Sequence, residues 1–277
     1  MSRLAIDIGG TWLRYELVGE EEVCGKVPSK ETPLAAFIES FVSDHPGIEA
    51  IAVSYAGQVH EGTILSAPNI EVDEPDLQSW AEAVPGLPLR LENDLNCAAL
   101  AESVYWGEKD LIALYSGTGL GAGIIEKGEI CHGFRSLAGE IGHVPFREAP
   151  FACGCGKRNC LELYASGSGL AKWAKHLGCP DTTLEGLRHS PKAACRQVAA
   201  DFETALLHAA ATLVTLCNPK VLVLGGGVVA HNPGLAETVE KRLGEYALKA
   251  SLEGLKVARS RIENASLEGA KLLLDTI

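Results

Sequence analysis

At 277 residues, with 47% hydrophobic side chains and no low-complexity stretch, the chain can fill the cores of two ordinary α/β units and does not read as disordered. A net charge of −12 without any basic run argues against a nucleic-acid partner, and no apolar run is long enough to span a bilayer. No leader precedes the first strand pattern, so a cytoplasmic location is expected; there, nine cysteines, an odd number, suit metal binding before disulfides.

Residues 4–8 form an apolar run that ends in Gly9-Gly10, a buried strand entering a tight turn. Residues 12–18 alternate, with Leu13, Tyr15 and Leu17 on one side and Arg14 and Glu16 on the other. Glu20, Glu21 and Glu22 read as a solvated hairpin tip before a further strand near 23–27. A helix follows, with Thr32 as its expected N-cap and Pro33 at its first position. Leu34, Phe37, Ile38, Phe41 and Val42 make its apolar stripe, and it stops near Pro46-Gly47. Strands are expected at about 49–54 and 87–92, then a helix from about Asp94 to Tyr105 that Gly107 closes.

The same order then restarts. Residues 111–115 run into Gly117-Thr118-Gly119, and a second hairpin is expected at about 121–132. An almost wholly apolar helix over 201–217 should be buried on most sides and end at Asn218-Pro219. A strand at 220–224 leads through Gly225-Gly226-Gly227 to another helix at about 233–247. A repeat of element order without repeated sequence suggests two α/β lobes with a cleft between them.

Gly9-Gly10-Thr11 and Gly117-Thr118-Gly119-Leu120-Gly121 each lie where a strand turns into a hairpin. Glycine lets backbone N–H groups approach a phosphate closely, and a threonine hydroxyl adds a donor. Neither turn is a P-loop, since the lysine and the following helix are missing. One such turn is as readily a plain tight hairpin, but two at matching positions in two lobes point to a nucleotide clamp. Asp7, just before the first turn, could hold Mg2+ through water, because hard cations prefer carboxylate and phosphate oxygens.

Asp94, in Glu92-Asn93-Asp94 at a strand-to-helix junction, has two readings. It can cap the helix, the commoner role, or act as the general base that takes a proton from an attacking hydroxyl. His143, Cys153, Cys155 and Cys160 are a stronger local signal, because three thiolates and one imidazole complete a tetrahedral zinc shell. Gly154 and Gly156 allow a tight loop around the metal, and Glu140 and Glu162 flank it. Unconnected free cysteines are the plainer alternative, yet four metal-type ligands lie within eighteen residues.

These segments resemble the ROK family of repressors, uncharacterised reading frames and sugar kinases. The matching runs are Asp7-Ile8-Gly9-Gly10-Thr11, Ala67-Pro68-Asn69, Glu92-Asn93-Asp94, 117–121, Ala138-Gly139-Glu140-Ile141-Gly142-His143, 153–162 and 225–227, in family order over most of the chain. The resemblance implies a two-lobed actin-like ATPase (ribonuclease H-like) fold. The first lobe would span 1–110, with a C-terminal helix at about 266–277 packing back on it. The second, 111–265, would carry the zinc loop and the nucleotide site.

The resemblance also implies an ATP-dependent hexose kinase acting on O6 of glucose or a related sugar, with ATP, Mg2+ and a structural Zn2+. A sugar-sensing regulator or an N-acetylhexosamine kinase is the alternative. Regulators of this family carry an N-terminal DNA-binding domain, and a strand starting by Leu4 leaves no room for one. Asp7, Gly9, Gly10, Thr11, Gly117, Thr118 and Gly119 would handle phosphates and Mg2+, and Gly225, Gly226 and Gly227 the adenosine. Asp94 becomes the catalytic base beside Asn93 as a sugar ligand. Asn69, Glu140, His143 and Glu162 would bind the sugar too, with His143 also on zinc. A dimer or tetramer is implied.

Three places depart from the family pattern. Asn159 stands where glycine usually precedes the last zinc cysteine, and asparagine is expected to tolerate a left-handed backbone there. Tyr55-Ala56-Gly57-Gln58 replaces a proline-containing turn near the sugar, and Ser116 replaces an aliphatic residue before the second phosphate turn.

Overall fold

The computed structural model describes residues 2–19, 23–67, 70 and 77–277. The acidic tip expected at 20–22 and the proposed sugar ligand Asn69 lie outside the described residues. Backbone contacts divide the chain into two units, one of residues 1–105, 130–138 and 262–277, the other of 106–129 and 139–261. The segment 130–138, expected in the second unit, thus groups with the first.

The first unit carries β1 (Ser2–Ile8), β2 (Trp12–Val18), β3 (Val23–Pro28), α1 (Leu34–Asp44), β4 (Ile48–Tyr55), β5 (Gln58–His60), β6 (Thr63–Ser66), α2 (Leu77–Ala83), β7 (Leu89–Asn93) and α3 (Asp94–Trp106). Its main sheet runs β3-β2-β1-β4-β7. β1, β2 and β3 pair antiparallel, whereas β1, β4 and β7 pair parallel, as strands joined by crossovers do. Period-two alternation gives the sheet two different faces. Leu4, Ile6, Ile51 and Val53 point to the side covered by Leu34, Ile38, Phe41 and Trp80. Ala5, Ala50 and Ala52 point to the other, beside Cys97.

In the second unit, β8 (Leu111–Ser116), β9 (Leu120–Glu126) and β10 (Glu129–Ile130) precede α4 (Glu162–Ala165), α5 (Gly167–Leu177), α6 (Leu184–Arg188) and α7 (Ala193–Cys217). Then come β11 (Val221–Gly225), α8 (Gly227–His231), α9 (Gly234–Arg242) and β12 (Lys256–Arg259). The sheet order β10-β9-β8-β11-β12, with β8 and β9 antiparallel and β8, β11 and β12 parallel, reproduces the first unit's plan. The repeat expected from element order is therefore a repeat of topology. One core joins Ile112, Leu114, Leu222 and Leu224 of the strands to Phe202, Leu206 and Leu207 of α7.

Several local expectations need correction. Thr32 does not cap α1: residues 29–31 make a 3-10 turn, Pro33 precedes the helix, and no side chain bonds its first amides. α7 starts eight residues before the expected position, because Cys195, Val198 and Ala199 continue its buried face past the polar Arg196 and Gln197. The helix expected at about 233–247 is α9, which ends at Arg242 and passes into a 3-10 turn over Leu243–Glu245, and the short α8, not expected, precedes it. Pro233 separates α8 from α9, since it keeps the preceding Asn232 out of the helical region (φ −130°, ψ 70°). Asn218 does end α7, in the left-handed region (φ 47°), and Gly107 (φ 66°) closes α3. Asn159 is not among the residues with positive φ; Gly156 (φ 87°) makes that turn instead. Cys179 and Cys195 form a disulfide where reduced thiols were expected, joining the end of α5 to the first turn of α7.

Last comes α10 (Ala265–Leu273), which returns to the alanine face of the first sheet, with Leu267, Ala270 and Leu273 buried there. Small side chains let it sit low. A Cβ added to Gly269 would stand 1.9 Å from the backbone oxygen of Cys97 in α3. Gly269→Ala is expected to cost about 1–3 kcal/mol, because two backbones must part. Gly234→Ala meets nothing within 4 Å and should leave stability unchanged or slightly raised. Chemical denaturation of the two variants checks the contrast.

Candidate functional site

In the first unit, the register of the sheet sets the surroundings of Asp7. Its neighbours across β2 and β4 are Arg14 and Ser54. The Ser54 hydroxyl donates to one carboxylate oxygen at 2.9 Å, and the Arg14 guanidinium stands 3.5 Å from the other. Asp7 is buried, and burial raises its pKa despite both partners. A buried carboxylate of this kind is stabilised by a hydrated cation close to its oxygens. Gly9, Gly10 and Thr11 form the adjoining hairpin turn, closed by Gly9 N–H to Trp12 O at 3.0 Å.

The β7–α3 junction separates two roles that the sequence leaves together. Asn93, not Asp94, caps the helix: its Oδ1 accepts from the amides of Leu95 (2.9 Å) and Asn96 (3.1 Å). Asp94 begins α3 half-buried, and its Oδ1 accepts from the Asn93 side-chain amide at 3.1 Å. The same amide donates to Gly57 O at 2.8 Å, which ties the divergent segment 55–58 to this corner. All four hydrogen-bonding positions of the Asn93 side chain are thus engaged. A sugar contact by Asn93 would replace one of these bonds. Glu92, just before, is buried and accepts from Asn93 N, Asn96 Nδ2 and His132 Nε2.

In the second unit, Gly117, Thr118 and Gly119 turn β8 into β9. The first amides of α5 hold the turn from behind, with Gly167 N–H to Gly117 O at 2.8 Å and Ser168 N–H to Thr118 O at 3.2 Å. Ser116 is fully buried, and its hydroxyl donates to Ala165 O at 2.8 Å, so the departure from an aliphatic residue is a staple. The 225–227 turn lies alongside. Gly226 (φ 86°) packs on the Ser116 backbone, where a Cβ would approach within 2.5 Å, and a Cβ on Gly117 would meet Gly227 N at 3.8 Å. Both predicted nucleotide turns of this unit therefore adjoin.

The ligand atoms of His143, Cys153, Cys155 and Cys160 all lie within 4.8 Å of one another. Cys153 Sγ is 3.6 Å from His143 Nδ1, and Cys155 Sγ is 3.4 Å from Cys160 Sγ. Bonds of about 2.3 Å to sulfur and 2.0 Å to nitrogen give tetrahedral edges of roughly 3.5–3.8 Å, so this donor set fits a zinc ion. Burial pushes the Cys153 and Cys160 thiols up, Cys160 to about 11. Without a cation these two thiols resist becoming thiolates, whereas at Cys155 the effect of burial is outweighed by hydrogen bonds from the Lys157 amide and the neighbouring thiols, which bring it below its ordinary value. A divalent ion favours the thiolate form of all three.

Two carboxylates sit on this cluster. Glu140 Oε2 is 3.6 Å from His143 Nε2, the ring nitrogen that the cluster does not use. Glu162 opens α4; one oxygen accepts from the Cys153 thiol at 3.3 Å and the other from Leu120 N–H at 3.1 Å. The second oxygen lies 2.7 Å from where a Cβ of Gly119 would be. Glu162 therefore joins the metal-type cluster to the phosphate-type turn.

Asp7 with its turn and Asn93-Asp94 are thus grouped in the first unit, and the two glycine turns, the cluster, Glu140 and Glu162 in the second. Ser54, Arg14 and His132 were missed, and Ser116 was marked only as a departure from the family pattern. Register could have suggested Arg14, which alternation places across from Asp7; nothing local marks the others.

A family model described as the ROK family matches residues 3–277. A glucokinase of Streptomyces coelicolor is 34% identical over 273 residues, covering 86% of each chain. A ROK hexokinase from Thermus thermophilus shares the fold with a TM-score of 0.81 at 27% identity, covering both chains completely. A ROK family glucokinase from Streptomyces griseus, solved with glucose and AMPPNP, has a TM-score of 0.76 at 27% identity over 99% of each chain.

Proposed function

The chain belongs to the ROK family and is an ATP-dependent sugar kinase, and we propose that its acceptor is a hexose, phosphorylated on O6 of glucose or a close relative. The glucokinase relatives support the acceptor. The observation that carries the mechanism is the split between Asn93, which caps α3, and Asp94, whose carboxylate receives the Asn93 amide. A carboxylate at the start of α3 that the Asn93 side chain orients is suited to general-base work.

In the reaction, the sugar hydroxyl attacks the γ-phosphorus of ATP, its proton passes to Asp94, and ADP leaves. Asp7, with the Gly9, Gly10 and Thr11 turn, is assigned to Mg2+ and the phosphates. Gly117, Thr118 and Gly119 offer amides and a hydroxyl to charge on the transferring group. The turn at Gly225, Gly226 and Gly227 takes the adenosine. Glu140, His143 and Glu162 bind ring hydroxyls, as does Asn69. We assign a structural Zn2+ to His143, Cys153, Cys155 and Cys160, where it would fix the loop between His143 and Glu162.

A cytoplasmic location and a dimer or tetramer complete the reading, the assembly resting on the family. Among the described residues no helix is long and apolar enough to cross a membrane. Light scattering checks the assembly.

The test is ADP release with Mg·ATP and a panel of glucose, mannose, fructose, allose and N-acetylhexosamines. Turnover should depend on a hexose, with phosphorus coupling on C6 of the product. Turnover with an N-acetylhexosamine alone would move the acceptor to that class, and none with any sugar would overturn the kinase mechanism.

A further inference from the structure

Glu92 is a charged side chain for which the proposed chemistry has no use, and it is only 6% exposed. Burying a carboxylate is costly unless donors surround it. Here they do: one oxygen accepts from Asn93 N–H and from Asn96 Nδ2, both at 2.9 Å, and the other meets His132 Nε2 at 2.7 Å. Two of these donors are local to the strand-to-helix corner. The third comes from forty residues away.

His132 follows β10 in the segment 130–138, which groups with the first unit. That segment is tied elsewhere too. Ala138 N–H donates to His132 O at 3.1 Å, and His60 Nδ1 is 3.1 Å from the Ser136 hydroxyl. The imidazole is therefore held where it meets Glu92. Electrostatics agree with the geometry. The bond to Glu92 raises the His132 pKa. Burial would raise that of Glu92, but His132, Asn96 and the Asn93 amide together bring it down. Each shift favours the charged pair.

We propose that His132 is a positioning residue for phosphoryl transfer: by clamping Glu92 it fixes the corner from which Asn93 and Asp94 project. The chain of contacts is short. His132 holds one oxygen of Glu92, the other oxygen holds the Asn93 amide and Asn96, and the Asn93 side chain holds Asp94. A looser Glu92 leaves the backbone of Asn93 free to shift, and a base displaced by about 1 Å can cost roughly a hundredfold in rate. This inference rests on Asp94 being the base.

His132→Ala and His132→Gln separate this role from plain packing, since the glutamine amide nitrogen can donate where Nε2 does. His132→Ala should lower kcat by about 10- to 100-fold, with KM for sugar and for ATP near their original values, and His132→Gln should recover most of the loss. Added to Asp94→Asn, His132→Ala should cost little more, because both act through one group. If His132→Ala is insoluble, His132→Ser replaces it with the same expectations. An unchanged kcat in the variant without a donor, a His132→Gln no better than it, or full additivity with Asp94→Asn would each overturn the positioning role. Near-normal turnover by Asp94→Asn alone would instead sink the base assignment.

Discussion

Asp94→Asn lowers kcat by about 10²–10⁴-fold, the range for losing a general base, while sugar binding is largely kept. Asparagine matches aspartate in shape, so α3 and its packing are undisturbed. The cap cannot account for a loss, because Asn93 supplies it through Leu95 and Asn96. The amide of Asn93 now faces an amide rather than a carboxylate, and a flip of residue 94 can still offer it an oxygen. What disappears is a proton acceptor. Calorimetric titration of sugar without ATP, beside steady-state turnover, separates the two quantities. A variant that turns over near normally shows that no proton needs to be taken at this position.

Cys155→Ser, or removal of metal by a chelator, weakens sugar binding by about 10- to 100-fold and leaves ATP binding nearly unchanged. The magnitude is that of one hydrogen bond to a charged group lost or replaced. Purified protein should carry about one zinc per chain, as a closed four-ligand site requires. Glu162 explains the direction. Its Oε1 accepts from the protonated Cys153 thiol at 3.3 Å, a bond that a metal-bound thiolate cannot donate. With metal in place that oxygen can turn to a sugar hydroxyl; without it the thiol competes. Thermal stability should fall as well, because a metal that binds only the folded chain stabilises it. Elemental analysis that finds no zinc, with normal sugar affinity in Cys155→Ser, would falsify the assignment.

What was legible from the residues follows from the range over which each signal acts. The strands at 4–8 and 111–115, and the glycine turns behind them, are local patterns, and so is the grouping of His143 with Cys153, Cys155 and Cys160. The structure reproduces these. Boundaries failed where another local structure competes: a 3-10 turn displaces Thr32 as cap, and the helix expected to run to 247 gives way after Arg242 to a 3-10 turn. Asn93 and Asp94 could not be told apart as caps by type, since either residue caps well. Partners distant in the chain were out of reach. His132 lies forty residues from Glu92, and Ser54 forty-seven from Asp7. No composition or period signals such pairs.

The return of α10 to the first sheet has a consequence for how the protein is made. A ribosome releases the N-terminal strands first, yet the alanine face of β1 and β4 stays bare until residues 265–273 emerge. The second unit, contained within 106–261, is complete before then. The unit that begins first therefore finishes last, and its uncovered face is the surface a chaperone would meet on the nascent chain. A premature stop near residue 262 would leave the second unit whole and would expose Ala5, Ala50, Ala52 and Cys97, so the damage from a C-terminal lesion falls on the N-terminal half.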